Sequence, residues 1–197
     1  MVSMRKEFST VTWVLIPVAI ALNIAVGQIV YTLKLPLYLD SIGTILVGVL
    51  AGPWAGGLTG LLSNLIWALT GLNPSYGPFA VVGALIGVLA GFFTETGWMK
   101  TWWRVILAGL ITGVVAAAVS APISAYVFGG VTGSGTDALV AMLRSSGSGI
   151  LQATFGQGLV SDPLDKAISF LVVWLILKGL PSRFRARFPQ APALESS

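Results

Sequence analysis

The chain contains no cysteine and no histidine. Without Cys there are no disulfides and no thiol chemistry. Without His there is no imidazole metal site, no haem on His, and no Ser-His or Cys-His catalytic arrangement. Charge is scarce too: 9% of residues are Asp, Glu, Lys or Arg, against about 25% in a soluble domain. What stands in its place is apolar. With 55% hydrophobic residues and a mean hydropathy of +0.89, the chain reads as an integral membrane protein with several apolar spans. Its 197 residues fit one helical membrane domain, 1–197. The 24 glycines suit helix backbones that approach closely in lipid. The net charge of +4 does not imply nucleic acid, because the basic residues flank apolar segments and so report membrane orientation.

Met1 to Thr10 is a short basic lead with Arg5 and Lys6, and Val11 to Leu33 is an apolar segment long enough to span with some tilt. A signal peptide is the competing reading. It is disfavoured because the core is too long and no small-residue cleavage site follows. The next stretch, Leu35 to Tyr76, is broken by Gly52-Pro53. Ser41 to Ala51 would be about 16 Å of helix and Trp54 to Thr70 about 25 Å. The first piece is too short for a hydrocarbon core of about 30 Å. Broken helices persist at that depth only when packed inside protein or lining a cavity. Tyr38, Asp40, Asn64, Trp67, Asn73 and Tyr76 cluster at the outer ends of this hairpin, which suggests a binding cavity there.

Leu72 to Pro78 is a turn-rich loop and Phe79 to Phe93 a fourth apolar segment. Lys100, Arg104, Trp98, Trp102 and Trp103 mark a membrane interface before the fifth span, Val105 to Phe128. Gly129 to Ser161 reads as a long Gly/Ser/Thr-rich outer loop with a short helix at Asp137 to Leu143. The last span is Leu164 to Leu180, with Asp162 as N-cap, Pro163 in the first turn and Asp165 in the acidic first turn; contact with a ligand is the equal alternative for this group. A basic tail follows, and the polar end from about residue 189 is expected to be disordered.

Charge placement decides the helix count. With six crossings both ends share a side, together with the loop that joins the fourth and fifth spans. That places Arg5, Lys6, Lys100, Arg104, Lys178, Arg183, Arg185 and Arg187 inside, and leaves Lys34, Arg144 and Lys166 outside, of 11 basic residues in all. Treating Asp40 to Thr70 as one kinked span would give five crossings and split the two tails. The positive-inside rule therefore favours an all-α bundle of six transmembrane helices, with short, broken second and third helices and a long outer loop before helix six.

Small residues recur every four positions, at Gly83, Gly87 and Gly91, along Gly109, Gly113, Ala117, Ala121 and Ala125, and at Gly56 and Gly60. They line single helix faces where neighbours pack closely. Pro17, Ala21 and Ala25 form a similar stripe in the first span, which serves either internal packing or the docking of a partner helix.

Several polar residues have both a bland and a functional reading. Asp40 could cap the second helix, and Lys166 could pair with Asp162 one turn away. Asn64 in an apolar helix either bridges helices or meets a ligand, since an unbonded amide there is costly. Trp67 lies one turn from Asn64 and either anchors at the interface or stacks with Tyr76 on a flat ligand ring. Asn73, Gln152 and Gln157 are placed in outer loops, where amides could read the ring's edge. Asn23 and Gln28 are expected to be interhelical hydrogen bonders.

The order of these features resembles the S-components, the substrate-capturing membrane subunits of energy-coupling factor (ECF) transporters. The likeness rests on LDSIGTIL opening the short second helix, the Gly52-Pro53 break, Ser63-Asn64, the Ala21-x-x-x-Ala25 pattern, and the outer loop before helix six, and it covers nearly the whole chain. It implies a non-enzymatic subunit in a bacterial plasma membrane, with both termini cytoplasmic and no cofactor, metal or catalytic residue. It further implies capture of a vitamin-like micronutrient from outside. Ala21 and Ala25 would dock onto a membrane coupling subunit driven by two ATPases, and the ligand would lie among Tyr38, Asp40, Asn64, Trp67, Asn73, Tyr76, Gln152, Gln157, Asp165 and Lys166. The substrate stays open. Ser63 stands where riboflavin-type members commonly carry Lys, Gly77 to Phe93 lacks the acid of thiamine-type members, and no His is present for nickel or cobalt. A membrane-embedded enzyme is disfavoured by the missing His, the lack of a run of spaced aspartates and the lack of paired acids inside spans. A stand-alone carrier is disfavoured because no inverted repeat is visible.

Overall fold

The computed structural model describes residues 3–195. Among the described residues the regular structure is entirely helical. A short α1 (Met4–Glu7) leads into α2 (Thr10–Thr32), followed by α3 (Ile42–Ala51), α4 (Pro53–Leu69) and a 3-10 turn at Pro74–Phe79. Then come α5 (Ala80–Glu95), α6 (Trp102–Phe128), α7 (Asp137–Ser145), α8 (Ile150–Gly179), α9 (Ser182–Arg185) and α10 (Ala191–Glu195). Thr10–Thr32, Pro74–Glu95 and Trp102–Phe128 are each long and apolar enough to cross a membrane.

The Gly52-Pro53 break makes a hairpin and not a kink. A Cβ on Gly56 would lie 2.6 Å from Gly48 Cα, whereas residues eight apart on one continuous helix are about 12 Å apart. The chain can reverse here because Gly52 takes φ +135°, which side chains disfavour. Pro53 then opens α4, where its missing N–H costs nothing. Glu7 completes the turn: its Oε2 accepts from Trp54 N (2.8 Å) and Ala55 N (3.0 Å), the orphan donors of the new helix. This cap from the N-terminal lead has no local sequence signal, because it comes from 47 residues away.

Glycine governs the packing of the hairpin onto α5. A Cβ on Gly83 would stand 2.6 Å from Gly60 O, and one on Gly48 would stand 2.6 Å from Gly87 O. The two stripes thus interlock backbone to backbone, as their spacing predicts. The stripe of α6 meets α8 in the same way. A Cβ on Gly109 would approach Ala167 Cα to 2.5 Å, and Gly113 admits the backbone of Pro163. Asn23 ties three helices from inside α2. Its Nδ2 donates to Thr44 Oγ1 (2.8 Å) and Ser63 Oγ (2.9 Å), and its Oδ1 accepts from Gly43 N (2.7 Å). This is the interhelical role read from the sequence; Gln28 does likewise, accepting from Trp67 Nε1 at 3.0 Å.

Two boundaries differ from expectation. The last span starts at Ile150 and not at Leu164, so the connection after α6 ends near Gly149 and Asp162-Pro163 lies in mid-helix. The cap signature misleads because Pro163 is held by the glycine stripe of α6, and tight packing between helices compensates for its missing N–H. Likewise, 191–195 is helical where disorder was expected, and Ser196 and Ser197 lie outside the described residues. The tail folds back because Phe188, Gln190 and Ala191 are buried, with Gln190 N donating to Leu50 O (3.1 Å) beside the hairpin bend.

Candidate functional site

At the end of the bundle opposite the Gly52 bend, the C-terminus of α2, the start of α3, the end of α4 and the 3-10 turn converge with the loop before α7 and the N-terminal half of α8. They enclose a cavity of about 90 Å³. Its walls mix apolar groups such as Phe79, Val82 and Ile86 with hydroxyls such as Thr44, Ser120 and Ser124. Ser41 and Thr44 at the start of α3 and Asn64 near the end of α4 face one cavity because the hairpin runs antiparallel.

Six of the expected binding residues line it: Tyr38, Asp40, Asn64, Tyr76, Gln157 and Lys166. Asn64 is both a bridge and a wall, since its Nδ2 donates to Phe79 O at 2.9 Å. Gln157 sits on α8 and not in a loop. Its Nε2 donates to the Tyr38 hydroxyl (3.2 Å), which also bonds Thr136 Oγ1 (3.1 Å). Burial pushes the Tyr38 hydroxyl above its ordinary range, so it remains a neutral phenol. Asp40 does not cap α3, because Ser41 holds the N-cap position and Asp40 turns to Lys166.

Lys166 pairs with Asp40 Oδ1 (3.3 Å) and Asp165 Oδ2 (2.5 Å) and donates to Ser41 Oγ (2.9 Å). The expected pair with Asp162 is not formed among the described residues, because these partners take the ammonium's three donors. Asp165 is fully buried behind the wall and is not a first-turn acid. Its Oδ1 accepts from Tyr38 N (2.9 Å) and Leu39 N (2.8 Å). Leu39 has φ +49°, a left-handed conformation costing about 1 kcal/mol outside glycine. Asp165 therefore holds a strained turn that aims Tyr38 and Asp40 at the cavity.

Besides Asp165, three expected contacts do not reach it. Trp67 is fully buried behind Tyr76, with ring centroids 3.8 Å apart. Asn73 is buried in the loop, where its Oδ1 accepts from Ser75 Oγ. Gln152 is exposed and closes the N-terminus of α8, its Oε1 accepting from Gly149 N (3.1 Å). The sequence reading treated these polar groups as equivalent because one-dimensional spacing does not show which side of a loop faces inward. Conversely, Asp162, which reads equally as a cap or a ligand contact and is not among the ten expected binding residues, lines the cavity. Its signal was an acid beside a proline within an otherwise apolar helical run.

The arrangement, apolar walls with a few convergent polar groups, is suited to holding a small molecule. Among the described residues no cluster of three or more His, Cys, Asp or Glu is placed to hold a metal. A comparison with curated proteins found no significant match, and one with solved structures found none either. A family model described as "ECF transporter, substrate-specific component" matches residues 11–183, which covers the whole bundle and every wall of the cavity. The fold is all-helical with several membrane-length helices, in keeping with that family's six-helix fold. The chain belongs to the substrate-specific components of ECF transporters, multi-pass membrane subunits of transporters and not enzymes.

Proposed function

We propose that this chain captures a vitamin or related small micronutrient at the outer face of a bacterial membrane, in the cavity between α2 and α8. The observation that carries the reading is the placement of the cavity at one end of the bundle, under the connections before α3, before α5 and before α7. A ligand entering there meets polar loop residues such as Thr132 and Ser134 and a floor of apolar side chains, as suits a pocket for a small ring molecule.

Delivery is assigned to partners. The exposed stripe Pro17, Ala21 and Ala25 on α2, flanked by exposed Val14, Val18 and Ile29, supports docking onto a membrane coupling subunit driven by two ATPases. Both ends of the chain are assigned to the cytoplasm from the distribution of basic residues. Reporter fusions at Met1 and Ser197 giving signals on opposite sides would defeat that orientation.

The reading is tested by separating capture from uptake. The purified chain in detergent should retain a small molecule from growth medium without nucleotide, detectable by native mass spectrometry. Liposomes carrying this chain alone should not concentrate that molecule. Accumulation against a gradient without ATPases would replace the reading by a stand-alone carrier, and failure to retain any molecule would remove capture itself.

A further inference from the structure

We propose that the cavity selects an organic cation, a small ring molecule carrying a protonated or quaternary nitrogen, seated between the Asp162 carboxylate and the face of Tyr76. The proposal deepens the capture reading and rests on it.

The charge balance of the site is the first support. Three carboxylates, Asp40, Asp162 and Asp165, gather around a single cation, Lys166. That cation is not available to an anionic ligand. An ammonium has three donors, and those of Lys166 are engaged by Asp165, Asp40 and Ser41. A ligand carboxylate or phosphate would enter beside three carboxyl groups and find the Lys166 ammonium closed by protein.

Asp162 is in the opposite condition. It is 5% exposed and faces the cavity. Among the described residues it forms no ion pair, and its one hydrogen bond is a long one from Ser120 Oγ, 3.4 Å. A carboxyl buried to that degree either keeps its proton or takes an opposite charge, because desolvation disfavours the unpaired anion heavily, and a cationic ligand in the cavity would supply that charge. Asn64 points the same way. Phe79 O accepts a hydrogen bond from it, so the nitrogen must face Phe79. The amide oxygen is left as an acceptor on the cavity wall. The ammonium of Lys166 is thus committed internally while the Asp162 carboxyl and the Asn64 amide oxygen remain as acceptors toward the cavity.

The aromatic wall completes the match. Tyr76 lines the cavity, while Trp67 covers its other face and does not line the cavity. Tyr38 and Tyr31 stand in the same walls. Electron-rich ring faces attract a positively charged nitrogen, most strongly where water is excluded. A carboxylate beside a stacked aromatic platform recognises a flat cation by both charge and shape.

The probes are three pools of molecules below about 1 kDa from yeast extract: those retained by a cation exchanger, those retained by an anion exchanger, and those retained by neither. Thermal unfolding of the full chain, washed free of ligand in detergent, is followed with each pool, since binding to the folded state raises the midpoint. The cation pool alone is expected to raise it, and Asp162→Asn, which keeps shape while removing charge, should weaken the effect roughly ten- to a hundredfold in the amount of pool needed. Stabilisation of the wild type by the anion or neutral pool overturns the cation assignment and leaves capture standing. So does an undiminished response of Asp162→Asn to the cation pool. The wild-type comparison needs no variant, so it decides the matter even if Asp162→Asn fails to fold. If no pool stabilises the wild type, capture fails and the cation assignment with it.

Discussion

Trp67 and Tyr76 stack with ring centroids 3.8 Å apart and planes 24° from parallel, so that the tryptophan braces a tyrosine that faces the cavity. The indole is fixed from behind as well: its Nε1 donates to Gln28, and a Cβ on Gly27 would lie 2.5 Å from its ring. The platform is therefore rigid before any ligand arrives.

Ligand binding should change tryptophan emission through this pair. Trp67→Phe is expected to remove most of the change while preserving binding, whereas Tyr76→Ala should weaken binding by roughly tenfold through loss of the ring face. Fluorescence titration against equilibrium dialysis separates the two. An emission change that survives Trp67→Phe would place the reporter among the other tryptophans.

The hairpin should not tolerate a single methyl group at its tightest point. On Gly56 a Cβ would lie 2.6 Å from Gly48 Cα and 2.7 Å from Gly87 O, both backbone atoms that cannot rotate away. Gly56→Ala should cost about 3 kcal/mol or more, in the range of overpacked cores. Gly179→Ala meets nothing within 4 Å and serves as the control. Equal unfolding midpoints for the two variants would contradict backbone-on-backbone packing.

Glu7 should make stability depend on pH. Burial raises its carboxyl above the ordinary 4.5, with the hydrogen bonds from Ala55 and Trp54 only partly offsetting it. One oxygen, Oε1, has no partner among the described residues. Because the folded state holds the proton more tightly than the unfolded state, its contribution is fully present below the ordinary carboxylate range. It is then lost as pH rises through the raised value. Unfolding in detergent should show the chain losing stability across that window, and Glu7→Gln, which stays neutral, should flatten the slope. A slope unchanged in Glu7→Gln would assign the dependence to another group.

Docking should fail before capture does. Ala21 and Ala25 are exposed on α2, so Ala21→Trp or Ala25→Trp adds a ring to a face that needs close approach to a partner helix. Co-purification with the coupling subunit should be lost while ligand binding by the isolated chain stays within about twofold. Lost binding with intact assembly would instead make the stripe part of the bundle's own packing.

Much of the architecture was legible in one dimension because membrane helices obey strong constraints. Length against hydrocarbon thickness, the Gly52-Pro53 break and the glycine spacing are all local, and each led to the correct helix or contact face. One error came from a pair whose local reading presumed water. Asp162-Pro163 has the chemistry of a helix start, yet it lies within α8 because Gly113 on another helix receives the proline.

The composition and patterning of the chain determined by themselves that it folds as an all-helical membrane bundle, since so few charges and such long apolar runs leave no water-stable alternative. They also identified the end of the hairpin away from Gly52-Pro53 as the place where polar residues gather. Only the tertiary structure decided what each of those residues does. It put Trp67 behind Tyr76, engaged Lys166 with two aspartates and left Asp162 facing the cavity. These outcomes depend on which partner reaches a charge first in space, and sequence separations such as the 126 residues between Asp40 and Lys166 carry no trace of it.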